Sequence, residues 1–256
     1  MHPHPPMVDT PPMRTVPPLT VAITGASGSL GRALLRRWHR RGLRLVALSH
    51  RPEPLVLHDD AGAVIPLEQV QWQVGREAEL APLLERVDVL VLNHGINVVG
   101  ARDPGAVERS LEVNALSVWR LLELFATVAE GRAGSGRPRP EVWVNTSEAE
   151  IQPAFSPLYE ISKRLVGQLV SLRSLDLGRG AAALRVRRLV LGPFRSELNP
   201  YGPMPADGVA WAILYLADLG LDLIVVTINP LTYLTMPLAT LARWSYLRAF
   251  SRSSGR

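Results

Sequence analysis

The chain has 256 residues, 47% hydrophobic and 20% charged, with a net charge of +5 and no cysteine. That length supports one large domain with a real core, and the missing cysteines exclude disulfides, a thiolate metal site and a thiol nucleophile. The basic excess is arginine spread along the chain, without the interleaving of aromatic and basic residues that marks a nucleic-acid-binding module, so no nucleic-acid partner is expected.

Residues 1–18 are rich in proline and read as a disordered leader that cannot bury enough apolar surface to fold. His2 and His4 in it read as part of a solvated tail rather than a metal site, and no metal is expected. The stretch Met1–Pro6 has neither the charged start nor the apolar run of a signal peptide. The longest apolar stretch, around Trp211 to Ile228, is broken by Asp218 and Asp222 and does not read as a membrane span. A cytoplasmic location is therefore expected.

Residues 19–230 alternate strand-like and helix-like patterns. Leu19–Thr24 is a short β run, followed by Gly25-Ala26-Ser27-Gly28-Ser29-Leu30-Gly31 and a helical pattern at Leu30, Leu34, Leu35 and Trp38. Strand, glycine turn and helix is the context a phosphate-binding turn requires. Gly25 permits the turn, Gly28 lets backbone approach a pyrophosphate at the helix N-terminus, and Gly31 allows close helix–strand packing. The second strand, Leu43–Leu48, runs into Ser49-His50-Arg51, where such a fold reads the adenosine ribose. A carboxylate there would accept the ribose hydroxyl of NAD; instead Ser49 stands beside Arg51, with His50 between, which favours NADP(H) over NAD(H).

Further on, residues 52–63 form an excursion, Val64–Val74 carries a third strand and Glu77–Leu84 a helix. Val87–Leu92 is a nearly continuous apolar strand, as in a parallel sheet covered on both faces. It leads into Asn93-His94-Gly95, where Gly95 suits close approach of backbone to a ligand. Val107–Val128 reads as one long helix. Its Asn114, set among apolar neighbours, needs a partner, so it either caps a kink or serves the site. Residues 131–140 form a surface loop. Glu141–Thr146 is a fifth strand, Ala182–Leu191 a sixth ending in Gly192-Pro193-Phe194-Arg195-Ser196, Asp207–Leu219 a helix, and Leu223–Ile228 a last strand. The alternation implies an α/β fold, a doubly wound parallel sheet of Rossmann type in a single domain, with ligands at the carboxyl ends of the strands.

The stretch Ser147 to Lys163 carries the chemistry. Tyr159 and Lys163 lie four apart, so a helix with Ile161, Leu165, Val166 and Leu169 buried places them on one face. An ammonium beside a phenol stabilises the phenolate and brings its pKa toward working pH, giving an acid/base for an alcohol or carbonyl. Lys163 is the only lysine in a chain that otherwise uses arginine, a residue choice that fits a site needing a compact, tunable ammonium. Ser147, twelve residues before the tyrosine, offers a second hydroxyl to the same oxygen.

Thr24-Gly25-x-x-Gly28-x-x-Gly31, Asn93-His94-Gly95, Asn114, Ser147 and Tyr159-x-x-x-Lys163 occur in the order and rough spacing of the short-chain dehydrogenase/reductase family, which the chain resembles over residues 19–230. The resemblance implies Tyr159 as acid/base and Lys163 as holder of the nicotinamide ribose. It implies Ser147 as the group that orients the substrate oxygen, and Asn114 as part of a water-mediated proton relay to Lys163. Gly192-Pro193 with Ser196 is similar to the family's Pro-Gly motif with the two residues exchanged. It also implies a homodimer or homotetramer. Three departures stand out: Val74-Gly75-Arg76 where the family usually has an acidic residue near the adenine, a very short segment where the family places a substrate lid, and Asn229-Pro230 after the last strand.

Residues 231–256 are aromatic and basic. They carry Tyr233, Leu234, Met236, Leu238, Leu241, Trp244, Tyr246, Leu247 and Phe250, with Arg243, Arg248, Arg252 and Arg256 and no acid. Two placements are open: peripheral contact with an anionic membrane, or packing on the domain itself or on a partner subunit. The expected activity is NADP(H)-preferring interconversion of an alcohol and a carbonyl on a hydrophobic small-molecule substrate. The alternatives are a non-catalytic dinucleotide-binding scaffold and an epimerase or dehydratase that recycles its nicotinamide.

Overall fold

The computed structural model describes residues 18–132, 134–177 and 184–251. Most of the expected leader, the start of the expected sixth strand, and Arg252 and Arg256 of the tail lie outside the described residues. Seven strands form one parallel sheet in the order β3-β2-β1-β4-β5-β6-β7. They are β1 (Thr20–Thr24), β2 (Arg44–Ser49), β3 (Glu68–Gln71), β4 (Val89–Leu92), β5 (Glu141–Ser147), β6 (Arg185–Leu191) and β7 (Leu223–Val226). Every strand pair is parallel, so all carboxyl ends share one edge, and the order reverses between β1 and β4, where such sheets open a ligand crevice.

Two helical layers cover the sheet. Helices α1 (Ser29–Arg40) and α6 (Ala206–Asp218) pack on one face through Leu34, Leu35, Trp38, Ile213 and Leu214. On the other face lie α2 (Ala81–Leu84), α4 (Ser117–Gly131) and α5 (Pro157–Leu177), burying Leu84, Leu121, Phe125, Val166 and Val170. Burial of a large aliphatic or aromatic side chain stabilises by roughly 1.5–3 kcal/mol, and strands apolar on both faces let each layer claim one. The expected doubly wound sheet is thus the fold observed.

Several boundaries differ from expectation for local reasons. The third strand is confined to Glu68–Gln71: Val64 is drawn into an antiparallel bridge with His58, and Ile65 N–H donates to Leu57 O at 2.8 Å, so this part of the excursion is a small hairpin. Pro66, with no N–H, separates the two. The helix expected at Glu77–Leu84 is a 3₁₀ turn over Glu77–Leu80 followed by a single α turn with Pro82 near its start. The long helix expected over Val107–Val128 begins earlier, at α3 (Pro104–Leu111), where Asp103 accepts a hydrogen bond from Ala106 N–H at 2.9 Å. A π turn over Glu112–Leu116 separates α3 from α4. On α5, Ile161 is 51% exposed rather than buried; the inward face is Leu158, Ser162, Lys163, Val166, Gly167 and Val170, so the polar residues of the site define it.

The C-terminal segment forms α7 (Pro230–Phe250), started by Asn229, whose side chain accepts from Leu231 N–H at 3.1 Å. One face packs on α5 and on β6 and β7, with Met236 buried against Val190 and Val225. Arg243 lies on the packed side of α7. It turns inward and donates to Glu150 Oε2 at 2.9 Å, Gly167 O at 3.0 Å and Ser171 Oγ at 3.1 Å. The opposite face leaves Leu231, Leu234, Leu238, Leu241 and Trp244 exposed.

At the amino ends of the strands, buried Asp88 accepts from Thr20 N–H at 2.9 Å and pairs with Arg132 at 2.8 Å and Arg137 at 2.7 Å, tying β1 and β4 to the end of α4. Asp88→Leu strands the buried Arg132 guanidinium and is expected to cost about 3 kcal/mol, measured by urea denaturation, with Asp88→Asn costing less.

Candidate functional site

Between β1 and α1 the chain makes a turn that only glycine allows at two points. Gly25 has φ +62°, and a Cβ there would meet Asn93 O and His94 Cα at 3.0 Å. A Cβ on Gly31 would lie 2.5 Å from Gly25 O. Gly28 is different: its added Cβ would meet nothing nearer than Gly25 O at 3.4 Å, leaving room for a ligand against the backbone. Gly28 caps α1 without a side-chain hydrogen bond, and the first turn holds no acid. A helix start leaves its first N–H groups without intrahelical partners, and those of Ser29, Leu30 and Gly31 lie at this one. Close backbone, free N–H groups and a positive helix end fit the diphosphate of a dinucleotide. Ser27 contributes its carbonyl to Arg32 Nε at 2.8 Å, which holds the turn.

At the end of β2, Ser49 is buried and its Oγ accepts from Arg51 N–H at 3.1 Å. His50 is exposed, and among the described residues the Arg51 guanidinium pairs only with Glu197, at 3.9 Å, with both side chains largely in solvent. An exposed pair of that kind contributes roughly 0–1 kcal/mol, so Arg51 can exchange it for an anionic ligand.

A polar seam crosses the carboxyl ends of β1, β4 and β5. Thr24 Oγ1 accepts from the N–H groups of Asn93 at 2.8 Å and His94 at 3.2 Å. Asn93 donates through Nδ2 to Gly25 O at 3.3 Å and accepts from Asn145 Nδ2 at 2.8 Å. Asn145 O in turn accepts from Lys163 Nζ at 3.1 Å. The glycine turn and the lysine of α5 are thereby fixed relative to one another.

Lys163 Nζ stands 5.5 Å from the centre of the Tyr159 ring, and the Ser147 hydroxyl acts on the phenol to lower its pKa. Ser147 also accepts from Ala149 N–H at 3.2 Å, starting a 3₁₀ turn over Glu148–Glu150. Burial pushes the Lys163 ammonium down to about 8, opposed by the charge of Glu150. Burial raises the Tyr159 phenol, opposed by the Ser147 hydrogen bond. The net shift is upward, opposite to the lowering expected from the sequence, because desolvation outweighs the Ser147 hydrogen bond.

Asn114 is fully buried in the π turn, and its side chain is committed. It accepts from Ile96 N–H at 2.8 Å and donates to Ile96 O at 3.0 Å and Ser162 Oγ at 3.0 Å. It pins the loop after β4 to α5, and Gly95 is needed beneath it, since a Cβ there would lie 3.1 Å from Asn114 Oδ1. π turns recur at functional sites because they re-aim one residue without ending a helix.

His94 is held at both ring nitrogens, Nδ1 2.8 Å from Thr24 Oγ1 and Nε2 3.1 Å from Ser117 Oγ, and its ring meets Trp72 edge-on at 5.0 Å. Burial, then the nearby Lys163 charge, push it down to about 3 against the pull of Glu77. It is a neutral brace, not a free base.

Gly192, Pro193 and Ser196 lie in the loop after β6. A Cβ on Gly192 would strike Thr227 at the end of β7, so this glycine serves the contact of two strand ends. Ser196 closes a local turn, accepting from Asn199 N–H at 3.2 Å. The loop folds back on itself: Phe194 bridges Met204, and Gly202 sits against the Phe194 backbone. The structure thus has a tight strap where the family carries a lid.

Sequence reading missed Asn145, Ser162, Glu148 and Glu150. Asn145 was visible as the lone amide of β5, straight after the apolar run Val142-Trp143-Val144. Glu148 and Glu150 carried no motif; Glu148 Oε2 accepts from Thr227 Oγ1 at 2.7 Å and Thr232 Oγ1 at 3.1 Å, joining the site loop to α7.

A parallel doubly wound sheet with a glycine turn at its switch point, a serine at the end of β5 and a Tyr-Lys pair on the helix that follows defines a dinucleotide-dependent class of protein. The family model for short chain dehydrogenases matches residues 19–201, and the chain belongs to the short-chain dehydrogenase/reductase family. It is 43% identical over 235 residues to a Synechocystis protein named monoglucosyldiacylglycerol epimerase, covering 91% of this chain and 55% of that protein. The chain therefore spans about half the length of that relative. Among solved structures, a short-chain dehydrogenase from Sphingobium yanoikuyae in complex with NADPH superposes with a TM-score of 0.70 at 22% identity, covering 93% of this chain and 98% of that one. One from Burkholderia cenocepacia in complex with NADP gives 0.71 at 19% identity, covering 92% and 98%. These two share the fold.

The buried neutral His94 has a signature in acid. Its folded pKa lies below the ordinary value of about 6.5, so the unfolded chain takes up a proton first as pH falls. Stability is then lost from about pH 6.5 downward, by up to about 1 kcal/mol per pH unit. Melting temperature measured from pH 7.5 to 5 should fall more steeply for the native protein than for His94→Asn.

Proposed function

We propose that the protein is an NAD(P)-dependent enzyme that inverts a secondary hydroxyl on the sugar of a glycosyldiacylglycerol, by oxidation to the ketone and reduction from the other side. The observation that carries this reading is the 43% identity, over 91% of the chain, to the monoglucosyldiacylglycerol epimerase. NADP is the favoured cofactor, on the ground of Arg51 and the lack of a carboxylate at the end of β2.

A bound nicotinamide would supply reversible hydride exchange with the carbinol carbon. Tyr159 would take the hydroxyl proton as its phenolate, the form the Lys163 charge favours, and would return that proton to the oxygen at the second stage, so no net proton or electron pair leaves the site. Ser147 holds the substrate oxygen beside the phenol. Lys163, anchored by Asn145, holds the cofactor ribose and places a positive charge under the phenol as it ionises. Asn114 keeps the loop after β4 and α5 in register around them. Inversion would require the sugar to present its other side to the same hydride donor between the two stages.

A diacylglycerol substrate is presented by a bilayer. No helix among the described residues is long and apolar enough to cross a membrane. The outward face of α7, with Leu234, Leu238 and Leu241 and no acid, is suited to lie on an anionic surface. A homodimer or homotetramer, common in the family, is compatible with this placement. The second reading is net NADPH-dependent reduction of an apolar ketone, favoured by Arg51 alone.

The test is incubation with monoglucosyldiacylglycerol in phosphatidylglycerol vesicles and a catalytic amount of NADP. The isomeric glycolipid should accumulate in excess of the cofactor with no net change in absorbance at the NADPH band. Stoichiometric NADPH formation or consumption would replace epimerisation by the second reading. Tyr159→Phe should bind NADP unchanged by calorimetry while turnover drops about 100-fold or more. In a sedimentation assay with phosphatidylglycerol vesicles, the native protein should pellet and the double variant Leu234→Glu/Leu238→Glu should stay in the supernatant.

A further inference from the structure

A second charged cluster lies behind the site, away from any expected ligand. Glu150 is completely buried. Its Oε2 receives Arg243 Nη1 at 2.9 Å, with Arg188 Nη1 at 3.9 Å, and its Oε1 has no hydrogen-bond partner among the described residues. The two guanidiniums share Ser171 Oγ, at 2.7 Å from Arg188 and 3.1 Å from Arg243, and Arg188 also donates to Thr240 of α7. Burying a carboxylate costs several kcal/mol unless it is paired, so a half-satisfied one in this position calls for a reason.

The reason lies on α5. The Glu150 carboxyl group occupies the space where residue 167 would carry its Cβ, and that residue is glycine. Gly167 is one helical turn beyond Lys163, on the same inward face. The carboxylate is therefore seated on the helix that carries the lysine. The ammonium itself contacts only the Asn145 carbonyl and the Tyr159 ring among described partners, and neither bears a negative charge while the phenol is protonated. His94, the other titratable ring nearby, is neutral. Among the described residues Glu150 is the anion whose charge acts on Lys163, and Arg243 of α7 holds it.

We propose that Glu150 is a positioning residue for Lys163, clamped by Arg243, so that the seating of the C-terminal helix sets the charge around the lysine of the site. This rests on the reading of Lys163 as part of the catalytic group, but it is a statement about the lysine's surroundings and does not depend on which substrate is turned over. Glu150 raises the proton affinity of Lys163, and Arg188 and Arg243 temper that effect.

Because Lys163 is the only lysine, it can be watched directly. Protein grown with ¹³C-ε-lysine gives one lysine resonance, whose titration between pH 6.5 and 10.5 reports the ammonium without any turnover. The native midpoint is expected near 8. In Glu150→Gln the midpoint should move down by about one pH unit, the size of effect a single nearby opposite charge exerts. In Arg243→Met, which frees the carboxylate from its partner and removes a repelling cation, it should move up. Glu150→Asp, which keeps the charge, should restore most of the native value. Opposite shifts support the proposal, and so does the upward shift in Arg243→Met if Glu150→Gln does not fold. A midpoint unmoved within 0.2 unit in every folded variant, Arg243→Met included, would overturn it. Loss of epimerisation with the shifts intact would instead count against the proposed function alone.

Discussion

Thr24 Oγ1 holds two backbone N–H groups and the ring of His94, and through Asn93 and Asn145 the same seam reaches the ammonium of Lys163. The links from Thr24 to Asn93 and from Asn93 to Asn145 join neighbouring strand ends and the last joins β5 to α5, so the seam exists only if β1, β4 and β5 are in register. The sheet supplies that register through continuous apolar burial on both faces. Cofactor turn and acid/base group are thus not two sites brought together by a flexible loop but two ends of one hydrogen-bonded line. A change anywhere on it moves both ends.

Helix α5 shows how polar chemistry is placed inside an apolar layer. Its inward face carries Ser162, Lys163 and Gly167 among Leu158, Val166 and Val170. Ser162 binds Asn114, Lys163 binds Asn145, and the space left by Gly167 admits Glu150. Each buried polar group on this helix is answered from a different element: the π turn before α4, the strand β5 and the turn after it. Such groups are expensive alone and cheap when fully paired, which makes the helix position unique rather than merely buried.

Much of this was legible in the sequence. Apolar strands alternating with amphipathic segments specify the doubly wound sheet, and the glycines, Asn114, Ser147, Tyr159 and Lys163 announce their places by spacing. What could not be read were effects without a local signature. The π turn at Glu112–Leu116 looks like uninterrupted helix in periodicity. Ile161 fits the apolar stripe of α5 by spacing, yet the stripe is rotated so that Lys163 can reach Asn145. Arg243 resembles every other arginine of the tail until Glu150, distant in sequence, is seen beneath it. The raised phenol of Tyr159 follows from desolvation, a property of the folded site and not of the pair of residues.

The strap after β6 has a thermodynamic consequence. Gly202 pressed against the Phe194 backbone, the Phe194–Met204 bridge and the Ser196 turn leave this segment little freedom to lose when a ligand arrives. A site that orders a loop over its substrate spends binding energy on that ordering and gains selectivity from it. Here there is little disorder to remove, so discrimination among ligands falls to fixed walls, and affinity should vary little with loop sequence.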